Sequence, residues 1–527
     1  MPYIRVGITL IDCMKSWKRL PAIVNNVDSI LAAALGFYII QLFSRHGGIG
    51  ISPDSVTYIS AARNFSAGKG LIEFDNVPMV DFPAGYPIFL GIISFVTRMD
   101  PVAFGPVLNG FMFACVIYLC GYMMNRFYYP SRWYKIVLLS CFVISPCLLE
   151  IYSMMWSETL FILVLLLFIA SFKTYLDNEK LSSLLLISML AGIACVTRYA
   201  GVTLVVTGGM LITLNYRMNF MKRIRHLFIF GCVSASLLIL NLLRNSASSG
   251  TFTGQRQKGI TPLLQNIYYF GAVLCDWLPV PKNNNTVQLL VVLGCAALLT
   301  TVLLILFLSR TGYHSYEHVS IIFSFVYIGF MLFSATVSRY EQFSSRLLSP
   351  LFIPVLWGLS GMLPLWIHKL PRPASRWTAA GLGLVLAAWF QYNQYQQDAE
   401  TWDGVRDAGI PGYTEDPWPQ SPMIAFINKN PGMFKPAYSL YSNAADYLYF
   451  YTGLHPYNLP QEVFPGEQKR FYADPRHYII WFNDIDNPDF INLDEILQNQ
   501  RFTLLQNFQD GSIYVSVDSS AVKQVQQ

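Results

Sequence analysis

Charge is scarce in this 527-residue sequence. Asp, Glu, Lys and Arg make up 13% of it, about half the share usual in soluble domains. There is no run of acids and no basic tail, and a net charge of +5 is too dispersed to mark a nucleic-acid partner. Nine cysteines stand at 13, 115, 120, 141, 147, 195, 232, 275 and 295, mostly inside apolar runs, and none follows 295. A thiol in such a run acts as a small hydrophobe. With no CxxC and no Cys/His cluster at zinc spacing, neither a disulfide-stapled exterior nor a zinc site is expected. Seven scattered histidines make no triad. "FNDIDNPD" at 482–489 offers close-spaced oxygens but lacks the twelve-residue pattern of a calcium hand. Internal repeats and low-complexity stretches are also missing. The first apolar run has no small-residue cleavage site and reads as a retained span.

What is abundant is apolar length. Hydrophobic residues make up 54% of the chain and the mean hydropathy is +0.40. Runs near 20 residues recur, each long enough to cross about 30 Å of hydrocarbon as a helix. The expected spans are 27–44, 101–124, 134–150, 158–173, 181–197, 200–216, 227–243, 286–309, 318–337, 347–367 and 377–391. The fold class is therefore a polytopic α-helical membrane protein of about eleven transmembrane helices. A shorter apolar stretch, 82–98, opens with "FPAGYP" and reads as a juxtamembrane or re-entrant element. The tail, 392–527, is rich in Asp, Asn, Pro, Tyr and Gln. Its short apolar runs "HYIIWF" and "SIYVSV" alternate with turns, as in a small α/β domain. Two domains are expected: a membrane domain over 1–391 and a soluble one over 392–527.

Basic residues set the orientation. Lys15, Lys18 and Arg19; Arg126, Arg132 and Lys135; Lys173 and Lys180; Arg217, Lys222, Arg223 and Arg225; Arg310; and Lys369, Arg372 and Arg376 fall on one side if there are eleven spans. That side is cytoplasmic, and the tail is exported. The outward face nevertheless keeps Arg63, Arg198, Arg244, Arg256, Lys258, Arg339 and Arg346 at span ends. Singly, each can snorkel to a lipid phosphate. Together they suggest a cationic pocket suited to a phosphate-bearing ligand. Asp54, Asp81, Glu150 and Glu158 join them. Asp54 and Glu158 are also placed to cap the helices that follow them.

A set of short motifs runs in one order along most of the chain: "PDSVTYISAARNFSAGKGL" (53–71), "DFPAGYPIFLG" (81–91), "MMWSETLFIL" (154–163), "ACVTRYAGVTL" (194–204), "LLRNSASSGTFTGQR" (242–256), "SRLLSPLFIPVL" (345–356), and "YSNAADYLYFYTG" (441–453) in the tail. In this order the chain resembles the GT-C superfamily of membrane glycosyltransferases, in the branch of the protein O-mannosyltransferases and the lipid A aminoarabinose transferase. It departs from that pattern at 83–85, where Pro-Ala-Gly replaces Pro-Pro-Gly, and at Ser55, which leaves Asp54 without a paired acid.

The resemblance implies a sugar donor on a polyprenyl phosphate at the outer leaflet, a protein, lipid or glycan acceptor, and a catalytic carboxylate in the first outward loop. Asp54 is then the general base. Glu158 orients the acceptor or a cationic side chain. Arg198 and Arg346 are the first-choice phosphate ligands, followed by Arg244, Arg256 and Lys258. Tyr58, Asp81 and Tyr86 line the substrate site, the two tyrosines serving alternatively as interface aromatics. Arg63, nine residues after Asp54, faces away from it on a helix. One carboxylate suffices, because polyprenyl phosphate leaves as an anion without an acid, unlike the pair needed in glycoside hydrolysis. No cofactor is required and no divalent metal is expected. The setting implied is a bacterial inner (plasma) membrane with the active site facing the periplasm or exterior. The alternatives are transfer of a whole lipid-linked oligosaccharide and a lipid-linked-sugar flippase or transporter. Charges at span ends and unmatched halves speak against a transporter. An alkaline phosphatase fused after residue 400 is expected to be active and one after residue 222 inactive, measured in whole cells.

Overall fold

The computed structural model describes residues 26–309, 312–339, 341–485 and 487–517. Cys13, Lys15, Lys18, Arg19, Arg310 and Asp486 of the calcium-like loop lie outside the described residues. Every expected span coincides with a helix: α1 (Val27–Phe43), α4 (Pro101–Met124), α5 (Arg132–Val143) with α6 (Pro146–Ser153), α7 (Glu158–Asn178), α8 (Leu181–Thr197), α9 (Val202–Leu214), α10 (Phe220–Ser249), α12 (Asn285–Leu308), α13 (Tyr316–Val337), α14 (Ser345–Ser360) with α15 (Leu363–Lys369), and α16 (Pro373–Ala408). Between them lie α2 (Pro53–Ser66), α3 (Gly85–Thr97) and α11 (Leu263–Trp277). Among the described residues, six helical segments are long and apolar enough to cross a membrane, namely α4, α7, α10, α12, α13 and α14 with α15, and a seventh crossing arises if α5 and α6 count as one, against about eleven expected. α1, α3, α8 and the segment Tyr199–Leu214 are apolar but shorter.

Two of these elements differ instructively from the expected runs. The run 134–150 is bent by 49° between α5 and α6. Pro146 occupies the first turn of α6, and the Ser145 hydroxyl accepts from Leu148 N. A proline breaks the preceding hydrogen-bond ladder and a serine cap starts a new one. The last long helix, α16, continues unbroken past 391 to Ala408. Its "QYNQYQQDAE" segment is polar but rich in good helix formers, so hydropathy ends before the helix does.

The tail folds as α17 (Pro422–Lys429), β1 (Ser439–Ser442), α18 (Ala445–Thr452), β2 (Tyr457–Asn458), α19 (Pro465–Ala473), β3 (His477–Phe482), α20 (Leu493–Asn499), β4 (Phe502–Asn507) and β5 (Gly511–Ser516). The sheet order is β2-β1-β3-β5-β4. β1 runs parallel to β2 and β3, and β5 antiparallel to β3 and β4. Central β3 is apolar on both faces. Ile479 packs with Leu459, Phe471 and Ile496, while Tyr478, Ile480 and Phe482 enter a second core. That second core also holds Val56, Tyr58 and Ile59 of α2 and Tyr86 and Leu90 of α3. The C-terminal sheet and the first long loop therefore share one interior.

A short bridge fixes where α2 begins. Gly50 N donates to Ser153 O at 2.9 Å, Met155 N to Gly50 O at 3.0 Å, and Tyr413 N to Ile51 O at 2.8 Å. Residue 50 has no room for a side chain: a Cβ there would sit 2.1 Å from Met154 Sδ and 2.5 Å from Ile410. Gly50→Ala is expected to cost about 1–3 kcal/mol through overpacking, read as a lowered thermal unfolding midpoint in detergent.

Candidate active site

α2 is capped by Ser52. Its hydroxyl accepts from Ser55 N at 3.4 Å, and Ser52 N donates to Ser55 Oγ at 3.1 Å, with Pro53 opening the helix. This reciprocal box satisfies the end of the helix. Asp54, one position inside, is thus released from capping, and its side chain is 28% exposed. Its Oδ2 accepts from Arg346 Nη2. Arg346 Nε donates to Glu158 Oε1 at 3.0 Å, and Arg198 Nη1 pairs with the same oxygen at 2.5 Å while also donating to Ser157 Oγ at 3.0 Å. Glu158 is completely buried. The four charges sum to zero, a requirement for groups so far from water.

Trp156 closes the circuit. The Arg346 guanidinium lies 4.1 Å from its ring centroid, and its indole N–H donates to Ser52 Oγ at 2.7 Å. One indole thus holds both the arginine, through its π face, and the cap of the helix that carries Asp54. One turn along α2, the Tyr58 hydroxyl lies 3.4 Å from Ser157 Oγ. Its ring meets Tyr86 edge-on at 5.2 Å. Both tyrosines are buried, Tyr86 completely, so neither sits at a lipid interface. Burial, reinforced by Asp54 and Glu158, pushes the Tyr58 phenol well above its ordinary pKa and keeps it protonated.

A second cationic group surrounds the turn at 79–81. Arg244 Nη2 donates to Met79 O, and its Nη1 is buried with no hydrogen-bond partner. Arg256 Nη2 donates to Asp81 O at 2.8 Å. The Asp81 carboxyl packs directly over Gly254. Burial raises its pKa against the opposing pull of Arg256. Tyr199, next in sequence to Arg198, donates to Val80 O at 3.3 Å and joins the two groups. Lys258 is exposed, and its backbone pairs with Ser338. Arg63 is engaged elsewhere, with two bonds to Asp100 at 2.7 and 3.1 Å.

The structure thus gathers Asp54, Tyr58, Glu158, Arg198 and Arg346. Tyr86 is attached through Tyr58, while Asp81, Arg244 and Arg256 form a neighbouring group with Lys258 at its edge. Sequence reasoning missed Ser52, Trp156 and Ser157, although the last two lie in the quoted "MMWSE". It also missed Asp446 of α18, whose Oδ2 accepts from Tyr413 at 2.7 Å. Burial, with a contribution from the charge on Asp54, raises the pKa of Asp446.

A carboxylate on a short helix, arginines at the ends of long apolar helices and a C-terminal sheet packed on that short helix sit in a fold that recurs among solved structures. Among solved structures, the chain is similar to ArnT from Cupriavidus metallidurans in the apo state. The TM-score is 0.57 at 12% identity, covering 96% of this chain and 99% of that one. The same protein bound to undecaprenyl phosphate aligns at TM-score 0.54 and 12% identity, over 95% and 99% of the two chains. The archaeal oligosaccharyltransferase AglB from Archaeoglobus fulgidus, in complex with an inhibitory peptide and a dolichol phosphate, aligns over 87% of this chain and 69% of that one at TM-score 0.48 and 10% identity. Neither a protein-family model nor a curated protein matches the sequence.

Glu158→Gln would leave Arg198 largely buried without its carboxylate. Breaking such a pair is expected to cost about 3 kcal/mol of stability, whereas Asp54→Asn, at a partly exposed carboxylate, is expected to cost about 1 kcal/mol or less. Thermal unfolding of the two variants in detergent checks the difference.

Proposed function

We propose that this protein is an inverting glycosyltransferase that moves a sugar from a polyprenyl-phosphate donor to a hydroxyl acceptor. The observation that carries this reading is the Asp54 carboxylate, released from capping by Ser52 and in contact with an arginine that it shares with buried Glu158. The ArnT structure recorded with undecaprenyl phosphate, which has the same fold, supports the choice of donor.

Asp54 accepts the acceptor's hydroxyl proton as that oxygen bonds to the anomeric carbon. The bond from carbon to phosphate oxygen breaks, and the phosphate departs with the electron pair. A single displacement inverts the centre. Negative charge passes from Asp54, which becomes neutral, to the leaving phosphate. Arg346, already touching Asp54, is the group able to follow that charge, and Arg198 supports it from the other side of Glu158. Glu158 positions both guanidiniums. Arg244, Arg256 and Lys258 extend the cationic surface toward the donor. Charge neutralisation rests on guanidinium groups, so EDTA is expected to leave turnover unchanged. The reading includes a membrane domain over 1–391, an exported domain over 392–527 and a site at the outer face.

The test is the mass of product formed by the detergent-purified protein from a panel of polyprenyl-phosphate sugars. Asp54→Asn is expected to lose at least about a hundredfold in turnover while retaining donor binding. Arg346→Lys keeps the charge but replaces a planar fork by a point charge, and about a tenfold loss or more is expected. An active Asp54→Asn beside an inactive, folded Glu158→Gln would move the base to Glu158.

A further inference from the structure

A cavity of about 670 Å³ opens beside the Asp54–Arg346 pair, sharing Ser52, Pro53, Trp156 and Ser345 with its surroundings. Its remaining wall comes from α1, α6, the outer part of α16 and the loop 410–418. It is mostly apolar, with Phe43, Leu149, Met154, Val405, Ile410 and Trp418 contributing. The four ionisable residues on it are Cys147, Glu150, Asp398 and Tyr413, so no lining residue is cationic. Asp398 Oδ2 is buried and has no hydrogen-bond partner. The arginines at 244 and 256 belong instead to the group around Met79 and Asp81, reached through Arg198 and Tyr199. The cavity and the arginine group are therefore chemically opposite: one is apolar with carboxyls, the other rich in guanidinium.

We infer that this cavity is the acceptor site of the proposed transferase, and that it takes an amphiphile with an aliphatic portion and a cationic group on its head, in preference to a phosphate-bearing one. The inference rests on the transferase reading for the word acceptor alone; the chemistry of the wall stands without it. An ammonium beside Asp398 gains a counter-charge as that carboxyl ionises, and exposed Glu150 attracts it further, whereas a phosphate gains nothing from either. Burial pushes the Asp398 carboxyl up to about 8. Near pH 7 it therefore starts mostly protonated. An ammonium beside it favours the carboxylate, so binding releases up to one proton, whereas a phosphate favours the protonated acid.

The experiment uses the full-length protein in neutral detergent and two probes of equal chain length, dodecylammonium and dodecyl phosphate. Binding is followed by tryptophan fluorescence, with Trp156 and Trp418 on the wall, and by calorimetry at pH 7 in two buffers of different ionisation enthalpy. Dodecylammonium is expected to bind saturably, at least about tenfold tighter than dodecyl phosphate, with proton release. Asp398→Asn is expected to remove about a tenfold share of that preference and the proton release. Val405→Trp, two helical turns from Asp398 on the same wall, is expected to fill the cavity and abolish binding of both probes. Asp54→Asn is expected to leave probe binding intact, so a failure of the Asp54 assignment and a failure of this site are told apart. Equal binding of the two probes, an unchanged preference in a folded Asp398→Asn, or displacement of dodecylammonium by undecaprenyl phosphate would overturn the inference; the last outcome would give the cavity to the donor chain.

Discussion

The site depends on one buried carboxylate. Glu158 has no exposure to water, and an ion so placed is tolerated only with close, well-directed counter-charges. Two guanidiniums supply them, Arg198 from the end of α8 and Arg346 from the first turn of α14. The end of α8 and the first turn of the distant α14 must therefore both meet the start of α7. Once Arg346 is held there, its plane lies over Trp156, the indole reaches Ser52, and Ser52 sets the first turn of α2 with Asp54 on it. The geometry of the proposed base is inherited step by step from the need to neutralise Glu158.

That arrangement also makes the site electrostatically economical. The four central charges cancel, so this cluster carries no net charge at rest. The proposed reaction moves negative charge from Asp54 to a phosphate without creating or destroying any, and the guanidinium that contacts Asp54 is already in place to respond. Preorganised dipoles and ions are effective because they need not be rearranged as charge develops. The proposed ligand sites differ in the same way: arginine beside Met79–Asp81, apolar wall and carboxyl beside α16.

The C-terminal sheet completes this scaffold. Strand β3 and helix α18 share an interior with α2 and α3. Polar ties reinforce it: Arg339 pairs with Asp489 at 2.5 Å, Gln257 donates to Gln461 at 2.9 Å, and Arg63 reaches Tyr449 at 3.5 Å. The loop that carries Arg256 and the helix that carries Asp54 are thereby braced by the same small sheet. Tyr413 and Asp446 add a half-buried hydrogen bond at that joint core.

Local patterns in the sequence determined the helices and much of the site's membership. Apolar runs of spanning length became helices because a backbone in hydrocarbon must satisfy its own hydrogen bonds. The spacing of nine residues correctly turned Arg63 away from Asp54, since helical periodicity is a local property. The break at Pro146 and the cap at Ser52 were equally local. Proline at the first helical position marks the preceding residue as the cap, and that signal precedes both Pro53 and Pro146. What sequence could not supply was partnership. Neither Arg198 nor Arg346 has an acid close by in the chain, so sequence alone offers only lipid headgroups or a donor phosphate as anions. The structure gives both to Glu158, which lies 188 positions from Arg346. Trp156 reads as one aromatic in an apolar run until the arginine arrives above it, and Asp398 reads as a polar residue past the last span until α16 carries it to the cavity wall. Coulombic and packing energies depend on distance in space and on exclusion of water, neither of which is encoded by proximity along the chain. Tertiary structure therefore decided which charges face one another and which line the cavity.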